Sequence, residues 1–251
     1  MPFALVSLLG VLALVTVVVS VGTSGRYSYF STPRPGRADV VREFRSALEN
    51  TLEARSFQYD ESPGRIDYQA PNRTRALDPL GPSIVIGHTV YVALGFVNNK
   101  DTQWGEGPLT APLDNVFGLM AVRRDLKDLL GVTSVHRRGD HFYAQQVVAA
   151  DTVSPGTNGQ ALIDVTVIVR SGHVVRVEAT AHGILTSYKL AHDAYRAVTV
   201  TSIYLGRDTY SQFGEISPIT APTGGKIIHL QPCTNGYRFR GIAGHKYICA
   251  V

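Results

Sequence analysis

The sequence predicts an α+β domain built on an antiparallel β-sheet, and three observations carry this prediction. Residues 161–183 alternate apolar and polar side chains on both sides of Ser171-Gly172, which predicts two strands joined by a two-residue turn. Short apolar runs separated by Gly and Pro precede this hairpin, a spacing typical of antiparallel sheets. Residues 40–55 repeat apolar side chains every three or four positions, which predicts one amphipathic helix.

Composition narrows the class of protein. The 251-residue chain is 44% hydrophobic, which favours a folded domain with a real core. Its formal net charge of +4 comes from scattered Lys and Arg, without the basic stripe that tracks phosphates, so nucleic acid is excluded as a partner. Weak attraction to an anionic membrane surface is compatible with this charge.

The N-terminus predicts export. Residues 5–21 carry no charge, and Ser20-Val21-Gly22 has the small side chains of a cleavage site. Two alternatives stay open: a signal peptide cleaved near Gly22, or a retained membrane anchor. In either case we expect the body in the cell envelope or periplasm, or secreted. Residues 1–22 therefore form the signal or anchor, and the Gly-, Ser- and Pro-rich residues 23–37 form a linker.

Taken in order, the elements of the body begin with the helix at 40–55, capped by Asp39. Residues 98–115 are predicted as a loop, and a second helix is expected at 121–130. The expected strands cover 56–60, 65–70, 74–77, 84–86, 89–94, 132–138, 141–149, both halves of the 161–183 hairpin, and 197–205. Within the hairpin, alternation predicts one apolar face formed by Ile163, Val165, Val167, Val169, Val175, Val177, Ala179 and Ala181.

The tail, residues 206–251, differs from the rest and is predicted to be a disulfide-stapled appendage with one strand at 227–230. Its cysteines, Cys233 and Cys249, are the two in the chain, and an even, close pair in an exported protein favours a disulfide. The alternative is two unpaired buried thiols.

The segments SFQYDESPGRIDYQAPNRTRAL, SIVIGHTVYVAL and SVHRRGDHFYAQ, together with the Val-rich hairpin, resemble the LolA-like superfamily, most closely the actinobacterial LppX/LprG lipoproteins. The resemblance covers residues 38–205 and implies a strongly curved antiparallel sheet, a half-barrel, with helices on its concave face. It also implies a hydrophobic cavity for acyl chains and a non-enzymatic role as a carrier of lipid or lipidated ligands. One departure is that residues 22–36 lack the lipid-modified cysteine of that group.

A cavity of this kind would bind mainly by burying alkyl groups, each worth about 0.8 kcal/mol. The alternative is a fully packed core, and the function would then be an envelope-anchored module for a protein partner. Our candidate wall residues are apolar and lie on the predicted strands and second helix: Phe57, Tyr59, Ile66, Tyr68, Val90, Val92, Leu94, Leu126, Leu129, Leu130, Val165, Val167, Val175 and Val177.

No catalytic motif is found, so we expect no enzymatic activity, no cofactor and no metal. G-x-S-x-G, H-E-x-x-H and C-x-x-C are all absent from the sequence. A hydrolase is the third alternative for the function, and it would have to draw on His182, His192 and Asp193 for a Ser-His-Asp set.

Overall fold

A computed structural model describes residues 29–61, 64–78, 81–97, 101–109, 123, 126–191, 194–224, 227–233, 236–241 and 244–249. The predicted signal or anchor lies outside these residues. The helices are α1 (Ala38–Glu53) and α2 (Ala150–Val153), and residues 126–129 form one further helical turn. The strands are β1 (Ser56–Glu61), β2 (Gly64–Gln69), β3 (Arg73–Asp78), β4 (Gly81–Ile86), β5 (Thr89–Val97), β6 (Asp101–Pro108), β7 (Val135–Arg138), β8 (His141–Ala149), β9 (Gln160–Arg170), β10 (His173–Ala191), β11 (Ala194–Ser211), β12 (Ile227–His229), β13 (Gln231–Cys233), β14 (Gly236–Gly241) and β15 (Gly244–Cys249).

The chain divides into two compact units. The first takes Ala54–Arg123 and Tyr210 onward, and its main sheet has the order β12-β6-β5-β4-β3-β2-β1. The second takes α1 and Arg124–Thr209, with the order β11-β10-β9-β8-β7. Among the described strands of these sheets, every pairing is antiparallel except that of β12 with β6. The predicted α+β class, with a curved, open and essentially antiparallel sheet, is confirmed.

The β9–β10 hairpin organises the second unit. Ser171 and Gly172 both have positive φ, 49° and 76°, as a type I′ turn requires. The turn therefore matches the twist of its flanking strands, and the predicted two-residue connection is confirmed. Asn50 of α1 donates from Nδ2 to the Gly172 carbonyl at 3.1 Å, which ties the helix to the turn.

Helix α1 packs on the second unit's sheet through its apolar side. Its buried side chains include Phe44 and Leu48, and the Phe44 ring lies 5.6 Å from that of Phe142 on β8. Near the helix C-terminus, Thr51 donates to the Ala47 carbonyl and accepts a hydrogen bond from the amide of Val174, each at 2.8 Å. The helix is thus held to the sheet by apolar contact and by one buried hydroxyl.

The segment before α1 also packs against the second unit. The amide of Phe30 donates to Oε1 of Gln160 at 2.9 Å, and the amide of Gly36 donates to the Thr133 carbonyl at 2.8 Å. A Cβ on Gly36 would lie 2.0 Å from the carbonyl oxygen of Val135, so only glycine fits there. The described part of the predicted linker, residues 29–37, is therefore attached to the domain at two points.

The first unit is held together by an aromatic cluster. The Phe57 ring lies 4.8 Å from Tyr68, 5.8 Å from Tyr210 and 6.0 Å from Phe213, and Tyr59 lies 5.3 Å from Tyr210. Such tilted pairs add stability beyond the area they bury. Burial raises the pKa of the Tyr68 phenol.

The tail joins the first unit's main sheet. Strand β12 pairs with β6 in parallel register, Ile228 opposite Gly105, and the amide of Leu230 donates to the Glu106 carbonyl at 2.7 Å. Leu230 packs against a cluster that includes Val90. The predicted strand at 227–230 is confirmed, while β13, β14 and β15 form a separate small sheet that sequence patterning did not predict.

Three predictions are wrong in detail. Asp39 is not the cap of α1: it lies inside the helix, and its exposed carboxylate bonds Arg37, which lowers its pKa. Part of the predicted loop at 98–115 is strand β6, paired with β5. Val175 does not share the buried face, because a register shift between Val174 and Arg176 gives that place to Val174.

Candidate ligand-binding face of the second unit

The candidate site is the apolar side of strands β8, β9 and β10, which we call the inner face. Cross-strand register aligns its residues in rows, because directly opposed residues in an antiparallel pair project to the same side. The buried rows are Phe142–Val167–Val177, Ala144–Val165–Ala179 and Gln146–Ile163–Ala181, followed by Val148–Ala161.

Helix α1 covers one end of the inner face. The helix contacts Phe142 and Val174, near the β9–β10 turn. Gln146 lies four residues along β8 from Phe142, a distance of about 14 Å at strand geometry. The rows around Ile163 and Ala181 therefore continue the apolar surface well beyond these contacts.

At the far end of this surface the residues of β8, β9 and β10 are buried next to α2, and the β11 edge is incompletely buried. Ile203 of β11 is directly opposite Ala181 and is half-buried, and Val200 is half-buried opposite the fully buried Leu185. Exposed apolar area of this kind is favourable for an apolar ligand, because its burial releases water. One polar side chain, Gln146, projects into the same region.

The opposite side of the same strands is polar. His182 Nε2 lies 3.1 Å from Asp164 Oδ2, and Gln145 donates to Asp164 Oδ1 at 2.8 Å. Farther along, Arg207 pairs with Glu178 at 2.6 Å. These strands thus have one apolar face and one polar face, and the inner face is the candidate for apolar contact with a ligand.

The predicted wall residues divide between the two units. Phe57, Tyr59, Ile66, Tyr68, Val90 and Val92 are buried in the first unit, and the side chain of Leu94 lies outside the described residues. In the second unit Leu126, Leu129, Val165, Val167 and Val177 are buried, whereas Leu130 and Val175 are half-buried. That they line a cavity stays a prediction.

Within each unit, protein atoms already cover many of these side chains. Phe57 and Tyr68 contact each other, and Leu230 packs on Val90 and Val92. Val165 and Val167 are only 2% and 0% exposed. These positions are packed against protein, so the partly exposed Ile203 and Val200 are better candidates for ligand contact.

The polar chemistry of the described residues does not assemble a metal site. No group of three or more His, Cys, Asp or Glu side chains close enough to hold a metal ion occurs among them. Of the residues considered for a hydrolytic set, His182 bonds Asp164, and residues 192–193 lie outside the described part.

The predicted disulfide stays a prediction, because the side chains of Cys233 and Cys249 are not described. The main-chain register sets a condition on it, since both cysteines pair with Gly236, one from each neighbouring strand. Two strand spacings put their Cα atoms about 10 Å apart, and a disulfide spans at most about 7 Å. The bond therefore requires a local departure from this register.

Two residues of the candidate site were missed by sequence reasoning. Gln146 occupies an inward position with Phe142, Ala144 and Val148 on β8, and strict alternation along this strand could have identified it. Ile203 becomes significant only through its pairing with Ala181, which no local pattern predicts.

In the described part of the chain, no helix is long and apolar enough to cross a membrane. No family model and no curated protein matches the sequence. Among solved structures, the chain is similar to LprF from Mycobacterium bovis, with 12% sequence identity and a TM-score of 0.34, over 76% of this chain and 100% of that chain. The likeness is a distant one, at the level of the fold.

Proposed function

We propose that this protein is an exported, non-enzymatic carrier that binds an acyl-chain ligand on the inner face of its second unit. The observation that carries the proposal is the incomplete burial of this apolar surface at its β11 edge. The rows beyond Phe142 and Val174 continue through the buried Ile163 and Ala181 to the half-buried Ile203.

The expected affinity follows from the alkyl area that this surface can bury. Ten methylene groups would contribute roughly 8 kcal/mol at about 0.8 kcal/mol each. Losses of ligand freedom on binding offset several kcal/mol of this gain. We therefore expect dissociation constants in the micromolar range or above for a single chain, with little dependence on salt because binding rests on apolar contact.

Two matched variants test the site. Ile203→Asp places a charge on the inner face, whereas Tyr204→Asp places it one residue away, on an exposed side chain of the opposite face. Displacement of a fluorescent fatty acyl probe measures binding, and native mass spectrometry of the purified protein detects a ligand carried from the cell. We expect Ile203→Asp to weaken binding at least tenfold and Tyr204→Asp to leave it unchanged.

The carrier proposal fails if purified protein is free of lipid and takes up no acyl probe. It also fails if the two variants weaken binding equally, because the effect would then not belong to the inner face.

The second candidate is an envelope module that binds a protein partner and has a filled core. The near-complete burial of Val165 and Val167 favours it. Truncation after Leu230 removes the small tail sheet and keeps β12, so it separates the two functions. If the truncated protein no longer captures a partner but binds the acyl probe as before, the module is supported. If it keeps both activities, the tail is excluded as the binding region.

The absence of enzymatic activity is part of the proposal. A screen of ester substrates of different chain length should show no turnover above that of the His182→Ala variant. Turnover lost in that variant would instead favour the hydrolase alternative.

A further inference from the structure

Gln146 is an unusual residue for the place it occupies. Its side chain is fully buried on the inner face, in a row with Ile163 and Ala181. Neither its Nε2 nor its Oε1 has a hydrogen-bond partner among the protein atoms. A buried amide left in this state costs free energy on folding, and native proteins rarely retain one without a reason.

A second buried group lies in the same unit. The Ser134 hydroxyl is also fully buried without a hydrogen-bond partner, and the Ser134 carbonyl accepts from the amide of Gln145, the residue before Gln146. The second unit therefore contains two buried polar side chains whose hydrogen-bonding capacity is unused by the protein.

The charge of the surroundings limits what these groups could bind. Among the described residues, no Lys or Arg side chain is buried, and the buried Asp208 is opposite Val177. An anionic head group would enter the interior without a cation to balance it, at a high desolvation cost. A neutral group carries no such cost, and an amide side chain offers it one acceptor and two donor hydrogens.

We propose that Gln146 is the specificity-determining residue of the acyl site, and that it hydrogen-bonds a neutral hydroxyl or amide group carried by an otherwise apolar chain. This inference rests on the proposed function and names the ligand class of the same site. The alkyl part of the ligand supplies affinity along the inner face, and the polar group is selected because it satisfies the buried amide.

The test compares methyl stearate with methyl hydroxystearates whose hydroxyl lies near the ester, at mid-chain or near the methyl end. Each displaces the fluorescent acyl probe from the full-length protein. We expect one hydroxyl position to bind about two- to tenfold more tightly than methyl stearate, as one net neutral hydrogen bond provides. In Gln146→Met this preference should vanish, so that each hydroxystearate binds no more tightly than methyl stearate.

Gln145→Met is the matched control, because Gln145 faces the opposite side and bonds Asp164; it should retain the preference. Ligand-free Gln146→Met should melt about 2 to 10 °C higher than the parent, since it removes an unsatisfied buried amide.

Equal affinity of the parent protein for all the esters overturns the inference and leaves the carrier proposal intact. Binding of no ester and no probe overturns both. A lower melting temperature for Gln146→Met would show that the amide is already satisfied inside the folded protein, and would also overturn the inference.

Discussion

The buried hydroxyl of Thr51 gives the sharpest stability prediction. Val174 precedes the register shift of β10, and its amide donates to Thr51 Oγ1 at 2.8 Å. Thr51→Val preserves shape and leaves that amide buried without an acceptor, since Thr51 and Val174 are both 0% exposed. We expect a loss of about 1 to 3 kcal/mol in the free energy of unfolding.

That loss corresponds to a melting temperature about 2 to 10 °C lower, followed by far-UV circular dichroism. Hydrogen exchange gives a local measurement, because the Val174 amide should exchange roughly 5- to 150-fold faster in Thr51→Val. Thr51→Ser is the control: it keeps the hydroxyl and should retain protection at Val174 although it loses a methyl group. Unchanged exchange of the Val174 amide in Thr51→Val would refute the assignment of this hydrogen bond.

Three further predictions concern the linker, one surface pair and the tail. Gly36→Ala should lower the melting temperature and expose residues 29–37 to proteolysis, because the new Cβ overlaps a backbone oxygen; unchanged cleavage would contradict it. His141 lowers the pKa of the Asp140 carboxyl, so the pair stabilises the fold above about pH 4 and this contribution is lost as the pH falls through the lowered value. In His141→Phe the Asp140 titration, measured by NMR, should move up, and no movement would exclude the pairing. Reduction of a Cys233–Cys249 disulfide should lower the melting temperature while the main fold persists, and an unchanged curve would mean that the bond is absent.

The hairpin was predictable because its signals are local. Alternation fixed the buried face of β9, and the Ser171-Gly172 turn fixed its partner. Val174 and Val175 are both apolar, so alternation alone could not locate the register shift that exchanges them.

Elements stabilised by distant contacts were less predictable. Strand β6 contains glycines and charged residues and has weak strand propensity, yet it is paired on both sides, by β5 and by β12 of the tail. Asp is a residue type that often caps helices, but the carboxylate of Asp39 is bound by the neighbouring Arg37 and does not cap the helix. The pairing of β6 lies outside any local window, whereas the partner of Asp39 is only two residues away and the residue type alone did not indicate it.

The candidate site was predictable as a class of surface and not as a set of residues. The apolar strands indicated which face an apolar ligand could contact. Many of the residues named for that role are packed against protein. The informative positions are exceptions to the pattern: the inward-facing amide of Gln146 and the half-buried Ile203, whose role depends on strand order.

Strand β7 is the edge strand of the second unit's sheet, and its length and charge affect solubility at high concentration. It is four residues long, and His136, Arg137 and Arg138 are exposed along it. Arg137 is also engaged by Glu43 of α1. A short, positively charged edge strand repels the same edge of another copy and offers few free main-chain groups for intermolecular pairing. Fibril formation from this edge of the sheet is therefore disfavoured.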